Sequence, residues 1–243
     1  YLSHARCGAH DPALLINPDL SEIKELLQLA DGAIAMITIA PELPGASEAI
    51  THLTAAGVTV ALGHTDGDFA DAAAGTNAGG RVITHFMNAM DKGLHETSFA
   101  SFVIADERLT VELILDGHHV PYKTAQEIYA AIGNRLIFVT DAMAAAGGTD
   151  GNYTIGELPV IVKDGVARLE SNGSLAGSTL TMDAIFRNSI QELGLSIPEA
   201  VAATSTRAAK LMGLTGRGEI AVGNRADLLS YNENTQSITL INS

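Results

Sequence analysis

Cysteine is almost missing. Cys7 is the only one in 243 residues, so no disulfide can close within the chain, which fits a reducing, cytoplasmic setting. Basic residues are scarce as well: 14 Lys and Arg stand against 28 Asp and Glu, for a formal charge of −14 and an isoelectric point near 4.8. An acidic surface of that size repels nucleic acid and anionic lipid, so neither is expected as a partner. An anionic substrate would have to be held by local positive charge against the overall field. Long apolar runs are absent too. The longest, residues 33–40, falls far short of the roughly 20 residues a membrane helix needs, and the opening residues carry no apolar core of the kind a signal peptide requires. No membrane segment is expected.

What is present is a folded, apolar chain with a regular beat. Hydrophobic residues make up 47% and charged residues 17%, which supports a sizeable core and argues against disorder. Five short runs rich in β-branched residues recur at 33–40, 58–62, 81–85, 110–115 and 136–140. Each is nearly continuous in apolar character rather than alternating, the pattern of parallel strands buried on both faces. Helix-like segments lie at 19–30, 48–56, 68–78 and 121–132, most of them stopped by a glycine that supplies the left-handed cap. This spacing predicts an α/β fold with a parallel sheet built from βα units. Beyond residue 140 the style changes. Lys163-Asp164-Gly165 predicts a hairpin turn within 160–169. Helices are expected at 181–193, 198–204 and 206–212, and strands at 226–231 and 237–241.

Polar residues mark the strand ends. The second run leads into Gly63-His64-Thr65, the third ends in His85 and continues to Asn88, the fourth leads into Asp116-Gly117-His118-His119, and the fifth leads into Asp141. Carboxyl ends of parallel strands converge on one face, and that face carries chemistry. Two histidines and an aspartate there suit a divalent metal, since neutral imidazole and carboxylate bind zinc, iron or cobalt. A lone histidine at a strand end is more often a hydrogen-bonded structural group than a ligand. Four consecutive ends carrying His or Asp shift that balance toward a site.

Five stretches together resemble the N-acetylglucosamine-6-phosphate deacetylases of the amidohydrolase superfamily. They are Leu62-Gly63-His64-Thr65, Thr84-His85-Phe86-Met87-Asn88-Ala89-Met90, Asp116-Gly117-His118-His119-Val120, Val139-Thr140-Asp141-Ala142 and Leu175-Ala176-Gly177-Ser178-Thr179-Leu180-Thr181-Met182. The segment from Gly218 to Leu228 resembles the general superfamily ending. The resemblance implies a partial (β/α)8 TIM-type barrel comprising its last five strands (residues 1–213) with the remnant of a small β-sandwich domain (214–243). It implies metal-dependent removal of the acetyl group from an amino sugar phosphate. His64 and His85 would be metal ligands. Asp141 would be the catalytic carboxylate, taking a proton from the attacking water and returning one to the leaving amine. His10 would contact substrate and polarise the acetyl carbonyl. Asn88, Ala89, His119 and the loop Leu175, Ala176, Gly177 and Ser178 would border the sugar phosphate. The metal is expected to be zinc, with iron or cobalt as alternatives, and the full-length protein a homodimer. His118 is read as structural, His4, His52 and His95 as surface residues, and Cys7 as inert.

The chain departs from the family pattern twice. The metal-binding Glu of the family's His-x-Glu-Gly-Pro segment, which would directly precede Tyr1, is not in this sequence, so the chain is expected to be part of a longer protein. The loop after the Asn88 motif lacks the family's phosphate-binding Arg; His95 stands near its position, and Lys92 is the candidate substitute. Two other readings remain: an amidohydrolase acting on a different N-acetyl sugar or cyclic amide, and a truncated sugar-binding module without catalysis. The sugar epimer is left open.

Overall fold

The computed structural model describes residues 1–241. Five parallel strands form one sheet in chain order: β1 (Met36–Ile39), β2 (Thr59–Leu62), β3 (Val82–Ile83), β4 (Thr110–Ile114) and β5 (Leu136–Val139). Neighbours in sequence are neighbours in the sheet, as short βα connections require. The expected α/β class and all five strand positions are present. Strands β2 to β5 bury apolar residues on both faces: Val60, Leu62, Ile83, Val111, Leu113 and Phe138 on the side of the main core, and Ala61, Val82, Ile114 and Ile137 on the other. The edge strand β1 is only half-buried until its last residue, Ile39.

Helices α1 (Leu20–Ala30), α2 (Ala46–Ala55), α3 (Phe69–Ala78), α4 (Phe99–Ala105) and α5 (Tyr122–Ile132) pack on one another in chain order. Their starts are fixed by side chains. Asp19 accepts from the N–H groups of Ser21 and Glu22, and Asp68 and Asp71 form a reciprocal capping box at the head of α3. Such caps satisfy amide donors that have no partner within the helix and stabilise it by about 1 kcal/mol each. Helix α4 has no counterpart in the sequence reading. Its seven residues are too short and too uniformly apolar to show a helical period, and it is held by tertiary contacts. Ser98 caps its start, and the guanidinium of Arg135 donates to the carbonyls of Val103, Ile104, Asp106 and Leu109 around its end. A cation there faces the negative end of the helix dipole.

After β5 comes an antiparallel meander of β6 (Gly151–Ile155), β7 (Leu158–Lys163) and β8 (Val166–Leu169), with its own small apolar cluster around Val160, Val162 and Leu169. The predicted Asp164-Gly165 turn joins β7 to β8, both residues having positive φ (52° and 74°), as a type I′ turn demands. Strand β6 went unread because Gly-Asn-Tyr-Thr-Ile carries little apolar weight. Helix α6 (Met182–Gln191) follows. The two helices expected at 198–204 and 206–212 are one interrupted helix: α7 (Ile197–Val201) runs through a π turn (Ala202–Thr206) into α8 (Arg207–Leu211). Ser205, the one residue between the two expected helices, instead sits in that wider turn. The tail forms an antiparallel pair, β9 (Leu228–Asn232) with β10 (Ser237–Ile241). Among the described residues, no helix is long and apolar enough to cross a membrane.

Candidate active site

The carboxyl ends of β2, β3, β4 and β5 open on one cavity of about 670 Å³. In open parallel sheets this is where ligands bind. The backbone there is unusual. Five of the eight non-glycine residues with positive φ are His64, His85, Met87, Ala89 and Asp141, all at or just beyond these strand ends. Left-handed backbone at a non-glycine residue costs roughly 1 kcal/mol or more. His64, His85, Ala89 and Asp141 line the cavity from these sharp turns, whereas Met87 packs into the core.

His64 and His85 stand at the centre. Their Nε2 atoms are 2.9 Å apart. His64 Nδ1 lies 2.8 Å from the carbonyl oxygen of Arg6; since a carbonyl only accepts, Nδ1 carries the proton and Nε2 presents a lone pair to His85. Burial, then the neighbouring His85, pushes the His64 imidazole down to about 4. Burial also pulls His85 down, outweighing the opposing pull of Asp141. Both rings are therefore neutral at physiological pH, the state in which imidazole binds metal. His85 Nδ1 is buried without a hydrogen-bond partner. Two neutral imidazoles with converging nitrogens fit a divalent cation such as zinc, iron or cobalt. Among the described residues, no group of three or more His, Cys, Asp or Glu is gathered as a complete metal site.

His10 packs edge-on against His64, ring centroids 4.9 Å apart, with its Nδ1 2.9 Å from the Cys7 carbonyl. Asp141, at the end of β5, is exposed to the cavity. Its backbone is fixed from below: the N–H of Ser178 donates to the Asp141 carbonyl at 2.7 Å, and the Ser178 hydroxyl donates to the Thr140 carbonyl. Glycine is required beside it. A Cβ on Gly177 would come within 2.9 Å of the Asp141 carbonyl oxygen, and Gly177 has φ of 59°. Asn88 turns its amide nitrogen back onto the carbonyls of His85 and Phe86.

His119, nearly buried, lines the same cavity, with Nδ1 2.7 Å from Asp116 Oδ2. Burial pushes the Asp116 carboxyl up, but the bonds from His119 and from the backbone N–H groups of His118 and His119 outweigh it and leave the group below the usual range. Lys92 also lines the cavity and, among the described residues, is the only Lys or Arg that does. Desolvation lowers its pKa. Its Nζ has no carboxylate partner among the described residues; it reaches only the His119 carbonyl, at 3.5 Å.

Most residues singled out from sequence thus meet in one place: His10, His64, His85, Asn88, Ala89, His119, Asp141, Leu175 and Gly177 all line the cavity. Ala176 and Ser178 do not. Ala176 is buried in the apolar cluster of the meander, and Ser178 lies behind the wall as a support for Asp141. His95 sits on the surface, bonded to Asp91 and Thr97. The sequence reading missed Thr154 and Ile155, which reach the cavity from β6, because it missed that strand. It also gave Asp116 no role, although a carboxylate three residues before a site histidine is a readable signal.

No family model matches the chain. Individual proteins do. An N-acetylgalactosamine-6-phosphate deacetylase of Escherichia coli O157:H7 is 35% identical over 233 residues, covering 95% of this chain and 61% of the relative. An N-acetylglucosamine-6-phosphate deacetylase of Vibrio furnissii is 34% identical, covering 95% and 58%. The crystal structure of N-acetyl-D-glucosamine-6-phosphate deacetylase from Mycobacterium smegmatis superimposes with a TM-score of 0.92 at 38% identity, covering 99% of this chain and 65% of that one. The chain spans about 60% of the length of the curated relatives it matches.

Proposed function

We propose, for a chain that belongs to the N-acetylglucosamine-6-phosphate deacetylase family, that its cavity is the working face of a metal-dependent amidohydrolase in amino sugar metabolism. The reaction is hydrolysis of the N-acetyl group of N-acetylglucosamine-6-phosphate to glucosamine-6-phosphate and acetate. The observation that carries this reading is the convergence of His64, His85, His119 and Asp141 from consecutive strand ends on one cavity that also holds Lys92.

His64 and His85 are the residues of this chain that would hold the cation, zinc in the first instance and iron or cobalt otherwise. When bound, a divalent cation polarises the acyl carbonyl and acidifies water. The chain's own groups do the rest. Asp141, free in the cavity, takes a proton from the attacking water as the oxygen adds to the amide carbon. His10 stands at the rim beside His64; its Nδ1 donates to the Cys7 carbonyl, so it meets the developing oxyanion through Nε2, as a donor only in the imidazolium form. As the C–N bond breaks, Asp141 returns the proton to the departing nitrogen, giving acetate and the free amine. His119, Asn88 and the Leu175–Gly177 wall hold the sugar. Lys92 takes the phosphate, the one fixed positive charge in a cavity of a chain with formal charge −14.

The sheet and its helices (residues 1–213) belong on this reading to a (β/α)8 barrel, and residues 214–243 to a small β domain, in a cytoplasmic homodimer. A second reading concerns the sugar alone. The Escherichia coli relative named for the galactosamine epimer makes N-acetylgalactosamine-6-phosphate the competing substrate. Acetate release by metal-loaded enzyme from both epimers, phosphorylated and not, is the test, with Asp141→Asn as control. Turnover of a 6-phosphate substrate that drops about 100-fold to 10,000-fold in the control is expected, the scale of losing a proton-transferring group. Equal turnover in the control, or none by wild type, would overturn the proposal.

A further inference from the structure

The least explained contact in the cavity is the one beneath His119. Asp116 and His119 leave β4 together, and their side chains are only 10% and 6% exposed. One carboxylate oxygen, Oδ1, accepts from the backbone N–H groups of His118 and His119 at 2.8 and 2.9 Å; the other, Oδ2, faces His119 Nδ1 at 2.7 Å. Three hydrogen bonds hold the carboxylate, and it cannot rotate without breaking them. Gly117 makes the turn possible: it has φ of 76°, and a Cβ there would meet the Tyr122 ring at 2.8 Å.

We propose that Asp116 is a positioning residue that sets the hydrogen-bonding polarity of His119, locking its proton on Nδ1 and leaving Nε2 as an acceptor for a hydroxyl of the bound sugar. An ionised carboxylate only accepts, so Nδ1 must donate, and in the neutral ring Nε2 then carries the lone pair. His119 lines the cavity, and its Nε2 makes no hydrogen bond among the described residues. The ligand group it meets must therefore bring a proton. A sugar hydroxyl does; a ring oxygen or a phosphate oxygen does not. This deepens the deacetylase reading by assigning one wall of the cavity to a hydroxyl, and it rests on that reading for the identity of the ligand.

Asp116→Asn separates polarity from shape. The two backbone N–H groups need an acceptor, so the amide oxygen takes the Oδ1 place and the NH2 group turns to His119 Nδ1. Nδ1 must then accept, the proton moves to Nε2, and the ring presents a donor where the sugar also presents one. The expected loss in kcat/KM is about 10-fold to 100-fold, the usual range for a residue that orients a site histidine, with metal content unchanged. In a His119→Gln background the same substitution should change kcat/KM less than about 2-fold, because there is no ring left to orient. Histidine-selective 15N spectra of the metal-loaded protein read the tautomer directly. Wild type should show His119 with a bare Nε2, and Asp116→Asn a protonated one. An unchanged tautomer, or losses that multiply independently in the double variant, would overturn the proposal. The spectra decide it even if no acetate is released from any substrate, an outcome that would count against the deacetylase reading alone.

Discussion

Lys92→Met tests how an acidic chain holds an anionic substrate. The substitution keeps most of the stem and removes the charge. Little of the fold depends on that charge, since the only contact of Nζ is a 3.5 Å approach to the His119 carbonyl, outside the range of a good hydrogen bond. Desolvation lowers the pKa of the ammonium, a cost that a phosphate beside it would relieve. A hydrogen bond to a charged group contributes about 1.5–3 kcal/mol, and 1.4 kcal/mol is a factor of ten. Lys92→Met should therefore lower kcat/KM for the 6-phosphate substrate by about 10-fold to 150-fold and leave the unphosphorylated sugar within about 2-fold. Steady-state acetate release on the two sugars measures both. The ratio between them is the informative quantity, because damage to the catalytic groups would depress both rates alike. Equal losses on the two sugars, or a phosphate preference that survives intact, would refute the assignment of Lys92 to the phosphate.

Two further perturbations follow from the backbone and the charge pairs. Gly177→Ala places a Cβ 2.9 Å from the Asp141 carbonyl at a positive-φ position; it should cost about 1–2 kcal/mol from the conformation alone and lower kcat more than it raises KM, because the loop that yields is the one carrying the proposed catalytic carboxylate. Chemical denaturation together with steady-state kinetics would check both parts. The Asp106 carboxyl lies below its usual range because Arg108 donates to it, so the folded state holds it ionised more firmly than the unfolded chain does. Its stabilising effect is complete at neutral pH and is lost as pH falls below about 4, the ordinary carboxylate value, toward the lower folded value. Urea midpoints should fall in that window in wild type and fall less in Asp106→Asn, and parallel curves for the two proteins would contradict the assignment.

The legible and illegible parts of this fold differ in where their stability comes from. Strands β2 and β5 announced themselves because both faces are buried, so nearly every residue had to be apolar; β4 did so through Val111, Leu113 and Ile114. The helices α1, α3 and α5 were readable from their punctuation. Asp19, Asp68 and Gly133 lie at their ends and act through the chain's local hydrogen bonds and dihedral angles, which sequence encodes directly. Helix α4 carries such a mark only in Ser98, ahead of seven residues too uniformly apolar to show a period, and strand β6 carries none. The first is held by Ser98 at one end and by Arg135, about thirty residues downstream, at the other; the second is held by pairing with β7. Neither partner can be inferred from the segment itself.

The site divides along the same line. That His64, His85, His119 and Asp141 sit at strand ends could be read from their positions after apolar runs. That they face one another could not, because it depends on backbone conformations that no local preference supplies. A histidine or aspartate leaving a strand would by default continue the pleat and alternate sides. At His64, His85 and Asp141 the chain instead takes φ of 48°, 29° and 48°, conformations that cost each residue free energy. They persist because the surroundings fix them: the Arg6 carbonyl holds the His64 ring, the backbone and side-chain amides of Asn88 hold the His85 carbonyl, and the Ser178 amide holds the Asp141 carbonyl. Three unrelated supports maintaining three unfavourable conformations around one cavity are hard to attribute to folding alone, which would be served better by ordinary turns. Convergence of the polar groups is what the strain secures, and a bound cation between the two imidazoles would return part of its cost.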